Sequence, residues 1–175
     1  ETKSPAFLQI NPLGKVPAID DNGLILREHE AILRHLVRTR EGTKAFLPDD
    51  IKVQALVDQY YPFHHFAVRP HVIHYFMGSA SLLPESTFDK EKAQKQVEET
   101  LKTFETVFLG DKKYLAGDQI TIADFSAADE ILQLYHATDI DFDRFPKLKA
   151  YVENYLNDPV ILEINKPIIE LAKKK

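Results

Sequence analysis

The stretch NPLGKVPA, residues 11–18, is followed ten residues later by EHEAI, residues 28–32. Val16 precedes a proline, which favours extended backbone at Val16, and X–Pro bonds are the ones that adopt the cis form at modest cost. A cis Val16–Pro17 bond would turn the main-chain N–H and C=O of Val16 outward, where they could pair with an extended peptide. The spacing of these residues does not exclude the simpler alternative that Pro17 only begins a strand.

The sequence around this stretch predicts a small α/β unit. Residues 4–10 are typical of a short helix, and residues 16–20 and 24–27 are apolar strand candidates. Asp-Asn-Gly at residues 21–23 joins them, and Asn-Gly is a strong hairpin signal because both residues tolerate positive φ. A helix is expected from about residue 28 to residue 38.

Glu28 and His29 begin that helix, where unpaired N–H groups and the helix dipole favour an anion. Glu28 could pair with an ammonium group while the backbone N–H of His29 holds a carboxylate. An amino-acid headgroup carries both charges on one carbon, so the pair suits it. The alternative is simple stabilisation of the first helical turn by Glu28 and Glu30.

Residues 41–50 are typical of a linker, and the strand pattern disappears after them. Residues 51–77 predict a helix broken by Pro62 and Pro70. Further amphipathic helices are expected over residues 93–108, 125–135 and 148–156, and a final helix begins at Pro159 and is interrupted by Pro167. The predicted class is therefore mainly α.

Ahead of one of these helices, Thr121 and Asp124 form a variant of the capping box, with Thr121 as N-cap and Asp124 at the third helical position. We interpret this pair as structural.

Four histidines lie close together in sequence, His64, His65, His71 and His74. A metal site is a weak interpretation because Pro70 breaks the helical register, and no metal is expected. The alternatives are a ligand-lining or interface role, or ordinary half-buried histidines. The neighbouring aromatic residues could line an apolar pocket, although packing in the core is their commoner fate.

The composition of the chain argues against several kinds of partner and site. A net charge of −5 argues against a nucleic-acid surface, and no apolar run approaches the roughly 20 residues of a membrane span. The absence of cysteine leaves no disulfide framework and no cysteine nucleophile in these residues. We expect neither a nucleic acid nor a membrane as partner.

Taken together, these motifs resemble the cytosolic glutathione transferase superfamily, most closely its theta-like members. YLAGDQITIADF at residues 114–125, FPKL at residues 145–148 and the Val57-Asp58 pair add to NPLGKVPA and to the Glu-x-x-Ala-Ile pattern. The resemblance covers essentially the whole chain.

The resemblance implies a truncated thioredoxin-like α/β domain at residues 1–42 and an all-helical domain at residues 51–175, in a cytoplasmic dimer, with a homodimer expected. A first strand, a first helix and a second strand would precede Glu1. The catalytic group is expected there, so the catalytic residue is unknown.

The resemblance also implies the site. Pro17 would be the cis proline, Val16 would pair with the cysteinyl part of glutathione, and Lys15 would lie near a glutathione carboxylate. Glu28 and His29 would hold the γ-glutamyl headgroup, and Asp58 would approach the ammonium of glutathione in the opposite subunit. The second substrate would lie against the helix that contains Tyr61, His64, His65 and Phe66. The family usually has Ser or Thr where His29 stands.

The function implied is conjugation of glutathione thiolate, as co-substrate, to small hydrophobic electrophiles. One alternative is a non-catalytic protein-interaction module, as in elongation-factor gamma subunits. Another is a glutathione-dependent reductase or isomerase of the same fold.

Overall fold

A β-hairpin between two helices forms the first part of the chain. The computed structural model describes residues 1–172, and it begins with helix α1, Pro5–Ile10. Strands β1, Ala18–Asp21, and β2, Leu24–Arg27, pair antiparallel with Asp21 opposite Leu24. Asn22 and Gly23 have φ of 54° and 90°, so the turn has the left-handed backbone that the Asn-Gly pair predicts.

Helix α2, His29–Thr39, joins this unit to the rest of the protein. It is amphipathic, and its buried residues are Ile32 and Val37. A short 3₁₀ turn, Lys44–Phe46, then leads to the helical region. The domain boundaries expected from the sequence, residues 1–42 and 51–175, stay a prediction.

Six helices make up that region. They are α3, Ile51–Phe63; α4, Arg69–Ser79; α5, Lys90–Thr103; α6, Ile122–Ala137; α7, Pro146–Leu156; and α8, Pro159–Ala172. The core lies around α6, which contacts α2, α3, α4, α7 and α8. Among the largest fully buried side chains of the core are Tyr60, Tyr61, Tyr75, Phe104 and Tyr151.

Two segments of the helical region have the wider π-helical turn. His64–Val68 lies between α3 and α4, and Phe104–Leu109 follows α5. The break predicted near Pro62 and Pro70 is such a turn, since Pro62 lies inside α3 and Pro70 in the first turn of α4. π turns often occur at functional sites because they change which side chains face one side of a helix.

Asp124 anchors the start of α6, where Thr121 is the N-cap as expected. The fully buried carboxylate accepts hydrogen bonds from the N–H of Thr121 at 2.7 Å, the Thr121 hydroxyl at 2.8 Å and the N–H of Leu115 at 2.9 Å. Burial raises the pKa of the Asp124 carboxyl, and these hydrogen bonds oppose the rise. The interpretation of this pair as structural agrees with these contacts.

The expectation that Pro167 interrupts the last helix is wrong. Helix α8 continues through Pro167 to Ala172. A proline removes one main-chain hydrogen bond, and the carbonyl that loses it can bond to water on an exposed helix. Residues 173–175, which the sequence assigns to the helical domain, lie outside the described residues.

Candidate glutathione site

A buried asparagine shapes the loop before β1. Asn11 is 1% exposed, its Nδ2 donates to the carbonyl of Lys15 at 2.6 Å, and its Oδ1 accepts from the N–H of Leu13 at 3.2 Å. The same Oδ1 accepts from Nε of Arg27 at 3.0 Å, at the end of β2. Asn11 therefore fixes the loop that presents Lys15 and Val16, and places Arg27 beside it.

Val16 and Pro17 lie at the end of this loop. The peptide bond between them is cis, as the resemblance implies. The Val16 side chain is 68% exposed, and its main chain comes just before β1.

Glu28 has an unusual backbone at the entry to α2. Its φ is 68° and its ψ is 120°, a conformation that non-glycine residues rarely adopt. Such backbone costs on the order of 1–3 kcal/mol and clusters at functional sites. The carbonyl of Glu28 accepts the first hydrogen bond of the helix, from Ile32 at 3.0 Å, which leaves the N–H groups of residues 29–31 without intrahelical partners.

His29 reaches from α2 to the helical region. Its ring centroid lies 5.4 Å from those of His64 and His65 and 5.9 Å from that of Tyr61. Its Nε2 is buried and makes no hydrogen bond with any residue in the described chain. Burial lowers the pKa of His29, and the positive charge of neighbouring His65 and Arg69 adds to this effect.

These residues surround a cavity of about 400 Å³. Lys15, Arg27 and Arg69 are its cationic lining residues, and Glu28 is the sole carboxylate in the lining. The full lining comprises Asn11, Leu13, Lys15, Val16, Pro17, Arg27, Glu28, His29, His65 and Arg69. The structure thus brings together five of the six residues predicted to bind glutathione, all except Asp58.

A second cavity of about 320 Å³ adjoins the first, and Pro17, His29 and Arg69 line both. Its other lining residues are Ile32, Leu33, His64, Phe125, Ser126, Asp129, Glu130 and Gln133. Arg69 forms an ion pair here with Glu130, whose side chain is 6% exposed. Burial raises the pKa of the Glu130 carboxyl, and Arg69 opposes the rise.

The four residues predicted for the second-substrate pocket divide between two cavities: Tyr61, His65 and Phe66 line an outer one, and His64 lines the second cavity. His64 lines the second cavity, is 1% exposed, and its Nδ1 lies 3.0 Å from the Tyr60 hydroxyl. Burial lowers the pKa of His64 to about 3. His65 also lines the first cavity. Tyr61 is buried, and its hydroxyl donates to the carbonyl of Ile122 at 3.1 Å.

Phe66 and Asp58 lie on an outer surface. Phe66 is 85% exposed and lines a shallow cavity of about 590 Å³. The other lining residues of this cavity are Glu28, Glu30, Asp58, Tyr61, Pro62 and His65. Arg34 forms ion pairs with both Asp58 and Glu30. Phe66 therefore lines this outer cavity and neither of the other two, and His64, two positions before it, lies on a different face of the helical turn.

The remaining histidines lie elsewhere. The Nδ1 of His71 is 2.7 Å from the Thr100 hydroxyl, and the His74 ring lies against Phe88. Within residues 1–172, no group of three or more acidic or histidine side chains is arranged to hold a metal ion.

The residues that sequence reasoning missed are Asn11, Arg27 and Arg69. Asn11 belongs to the quoted motif, so the sequence predicts that it lies in a turn. The sequence does not predict that Asn11 is buried. Arg27 and Arg69 are distant in sequence from the partners that position them, and no local pattern marks them.

Known proteins resemble this chain in sequence and in fold. The family model described as the glutathione S-transferase C-terminal domain matches residues 60–159, and the N-terminal domain model matches residues 1–38. The chain belongs to the glutathione S-transferase family. The predicted fold class and the likeness to theta members are confirmed.

Theta-class proteins are among the relatives that this chain resembles. Human glutathione S-transferase theta-2 is 33% identical over 183 residues, an alignment covering 99% of this chain and 75% of that protein. The apo structure of human glutathione-S-transferase T1-1 superimposes with a TM-score of 0.87 at 26% identity, over 98% of this chain and 75% of that one. Human theta-2, solved in complex with glutathione and an unknown ligand, gives a TM-score of 0.83 at 29% identity, over 99% and 74%. No helix in residues 1–172 has the length and apolar character needed to cross a bilayer.

Proposed function

We propose that this chain binds glutathione in the first cavity and conjugates the glutathione thiolate to small hydrophobic electrophiles in the cytoplasm. The observation that supports this most is the strained backbone of Glu28, the sole carboxylate in the lining of a cavity that also has the cations Lys15, Arg27 and Arg69. Glutathione carries two carboxylates and one ammonium group, so the charges of the cavity complement it.

The charges give glutathione an orientation. Glu28 pairs with the ammonium of the γ-glutamyl headgroup, and the free N–H groups at the start of α2 hold its carboxylate. Lys15 attracts the glycyl carboxylate at the other end. The main chain of Val16 pairs with the cysteinyl residue between them.

The chemistry is a nucleophilic attack by sulfur. Free thiols have pKa near 8.5, so a bound thiolate needs nearby positive charge or hydrogen-bond donors at neutral pH. The thiolate then attacks an electrophilic carbon in the adjoining cavity, where Ile32, Leu33 and Phe125 supply apolar surface. Orientation and electrostatics supply most of the rate enhancement.

We also propose a homodimer in which Asp58 approaches the glutathione ammonium of the partner subunit. Within the chain, Asp58 pairs with Arg34 and is 59% exposed, so a second copy can reach it. Sedimentation of the purified chain tests the assembly, and a monomer that binds glutathione would contradict it.

Calorimetry with glutathione tests the binding proposal. Glu28→Gln should weaken binding by about tenfold or more, since a hydrogen-bonded charge contributes roughly 1.5–3 kcal/mol. Glu30→Gln is the matched control, because Glu30 is the next acid on α2 and lies outside this cavity. Equal affinities for the native chain and Glu28→Gln would contradict the proposal.

Turnover tests the enzyme proposal separately. The full-length protein should accelerate glutathione conjugation of chlorodinitrobenzene above the spontaneous rate. Glutathione binding without turnover of a range of electrophiles would exclude the transferase.

A non-catalytic interaction module is the second candidate, and His29 favours it. The imidazole replaces the hydroxyl that the family usually offers the headgroup. A stable protein partner combined with no measurable glutathione binding would support this candidate over the first.

A further inference from the structure

Helix α6 presents a polar stripe to the second cavity. The stripe consists of Ser126, Asp129, Glu130 and Gln133, and all four residues line the cavity. Their spacing of three, four and seven positions after Ser126 places them on one face of the helix. The other faces of α6 carry mostly buried apolar side chains, because the helix lies in the core. The polar stripe therefore gives the second cavity a polar wall.

The rest of the lining includes an apolar surface. Pro17, Ile32 and Leu33 contribute to it from the first part of the chain, and Phe125 contributes from the first turn of α6. A ligand that fits this lining has an apolar body, which these residues remove from water, and a polar or charged group that faces the polar stripe.

The charges of the second cavity do not cancel. Arg69 and Glu130 form an ion pair with each other. Burial lowers the pKa of His64 to about 3 and also lowers the pKa of His29, so neither ring offers a positive charge near neutral pH. Asp129 remains, and no cation pairs with it within residues 1–172. The lining thus keeps one uncompensated negative charge.

The Asp129 carboxylate has an oxygen available to a ligand. Its Oδ1 accepts from the Tyr155 hydroxyl at 3.0 Å and from Nδ2 of Asn165 at 3.4 Å, whereas no hydrogen bond to Oδ2 is found in the described part of the chain. Partial burial raises the pKa of Asp129, and these two donors oppose the rise because they favour the charged form. Part of the residue stays exposed where it lines the cavity.

We propose that the second cavity selects electrophiles that carry a positive charge, with the cationic group beside Asp129 and the apolar body against Ile32 and Leu33. This inference rests on the proposed function and narrows its second substrate. The thiol of glutathione releases its proton to water, and the sulfur then forms a bond to the electrophilic carbon. The bond from that carbon to the leaving group breaks, and the leaving group departs with the electron pair. The cationic group takes no part in the reaction.

The experiment compares kcat/KM of the full-length protein for two benzyl chlorides at saturating glutathione, after subtraction of the spontaneous rate. The cation is para-(trimethylammoniomethyl)benzyl chloride. The neutral compound is para-neopentylbenzyl chloride, which has nearly the same shape because a carbon replaces the nitrogen. The ratio of the two values should favour the cation, and it should fall about fivefold or more in Asp129→Asn.

Three further measurements separate local charge from other effects. Asp129→Glu keeps the charge and should retain most of the preference. Asp118→Asn is the matched control, since it removes an exposed carboxylate outside both cavities and should leave the ratio unchanged. Added potassium chloride should lower kcat/KM for the cation more than for the neutral compound, because salt screens the attraction. The salt series uses the native protein, so it tests the proposal even where Asp129→Asn does not fold.

The outcomes distinguish this inference from the proposed function. If neither the benzyl chlorides nor chlorodinitrobenzene reacts faster than the spontaneous rate, both proposals are overturned. If both benzyl chlorides are conjugated and the ratio is the same in the native protein and Asp129→Asn, only the preference for cations is overturned. Faster conjugation of the anion para-(chloromethyl)benzoate than of the cation would also overturn it, because Arg69 rather than Asp129 would then determine the charge preference.

Discussion

The Tyr151 hydroxyl donates a hydrogen bond of 3.1 Å to Oδ1 of Asp124, and thereby joins α7 to the first turn of α6. Asp124 is fully buried and also accepts from Thr121 and Leu115, so one carboxylate fixes a loop, a helix start and a neighbouring helix. Removing it would leave buried donors unsatisfied, each at a cost of about 1–3 kcal/mol.

We therefore expect Asp124→Ala to lower the free energy of unfolding by about 3 kcal/mol or more, measured by urea denaturation. Tyr151→Phe removes one of these bonds and should cost about 1 kcal/mol. Asp118→Ala is the matched control in the exposed part of the same loop, and should stay within about 0.5 kcal/mol. A loss below 1 kcal/mol for Asp124→Ala would show that the carboxylate does not organise this region.

Features set by near neighbours could be predicted from the sequence. The cap formed by Thr121 and Asp124 spans three residues, and the hairpin turn depends on the adjacent Asn22 and Gly23. The helices of the helical region could be predicted too, because the apolar residues that mark each helix are only three or four positions apart.

Features set by distant partners could not be predicted. Arg69 meets Glu130 across 61 positions, and Asn11 meets Arg27 across 16. His64 and Phe66 line different cavities, although the resemblance assigns both of them to one pocket. Such contacts depend on how helices pack, which local patterns do not specify.

Asn11 gives a prediction about positioning. Asn11 is buried beneath the loop that carries Lys15 and Val16. It hydrogen-bonds to the main chain of that loop and to the side chain of Arg27. Asn11→Ala should weaken glutathione binding about tenfold, because the loop loses the geometry that presents Val16. Calorimetry measures the affinity.

Asn11→Asp separates geometry from charge. It keeps the acceptor for Arg27 and loses the donor to the Lys15 carbonyl, so an intermediate loss of affinity is expected. Unchanged affinity in both variants would mean that the loop holds its shape without Asn11.

His64 makes stability depend on pH. Its pKa is lowered by burial from 6.5 to about 3, so the folded protein keeps it neutral while the unfolded chain binds a proton below pH 6.5. The free energy of unfolding should therefore fall as pH falls from 6.5 toward about 3, by up to about 1.4 kcal/mol per pH unit from this group.

His64→Gln should flatten that part of the pH profile in urea denaturation. The exposed His74→Gln is the matched control in the next helix. An equally steep profile in His64→Gln would show that His64 is not the group responsible.

His29 stands where the resemblance implies a serine or a threonine. Its ring packs against Tyr61, His64 and His65, and the buried Nε2 makes no hydrogen bond in the described chain. In the proposed complex, His29 offers the glutathione headgroup its backbone N–H but no hydroxyl. His29→Ser should therefore bind glutathione about tenfold more tightly, because the hydroxyl adds a hydrogen bond to a charged carboxylate. The same change should lower the free energy of unfolding by about 1–3 kcal/mol, since it leaves a space among the rings.

His29→Ala distinguishes these two effects. It removes the ring and adds no hydroxyl, so it should lose stability as His29→Ser does without the gain in affinity. Calorimetry and urea denaturation on the same three proteins give both quantities. If the serine and alanine variants bind glutathione equally, the hydroxyl does not contact the headgroup, and the affinity depends on the helix N–H groups and Glu28 alone.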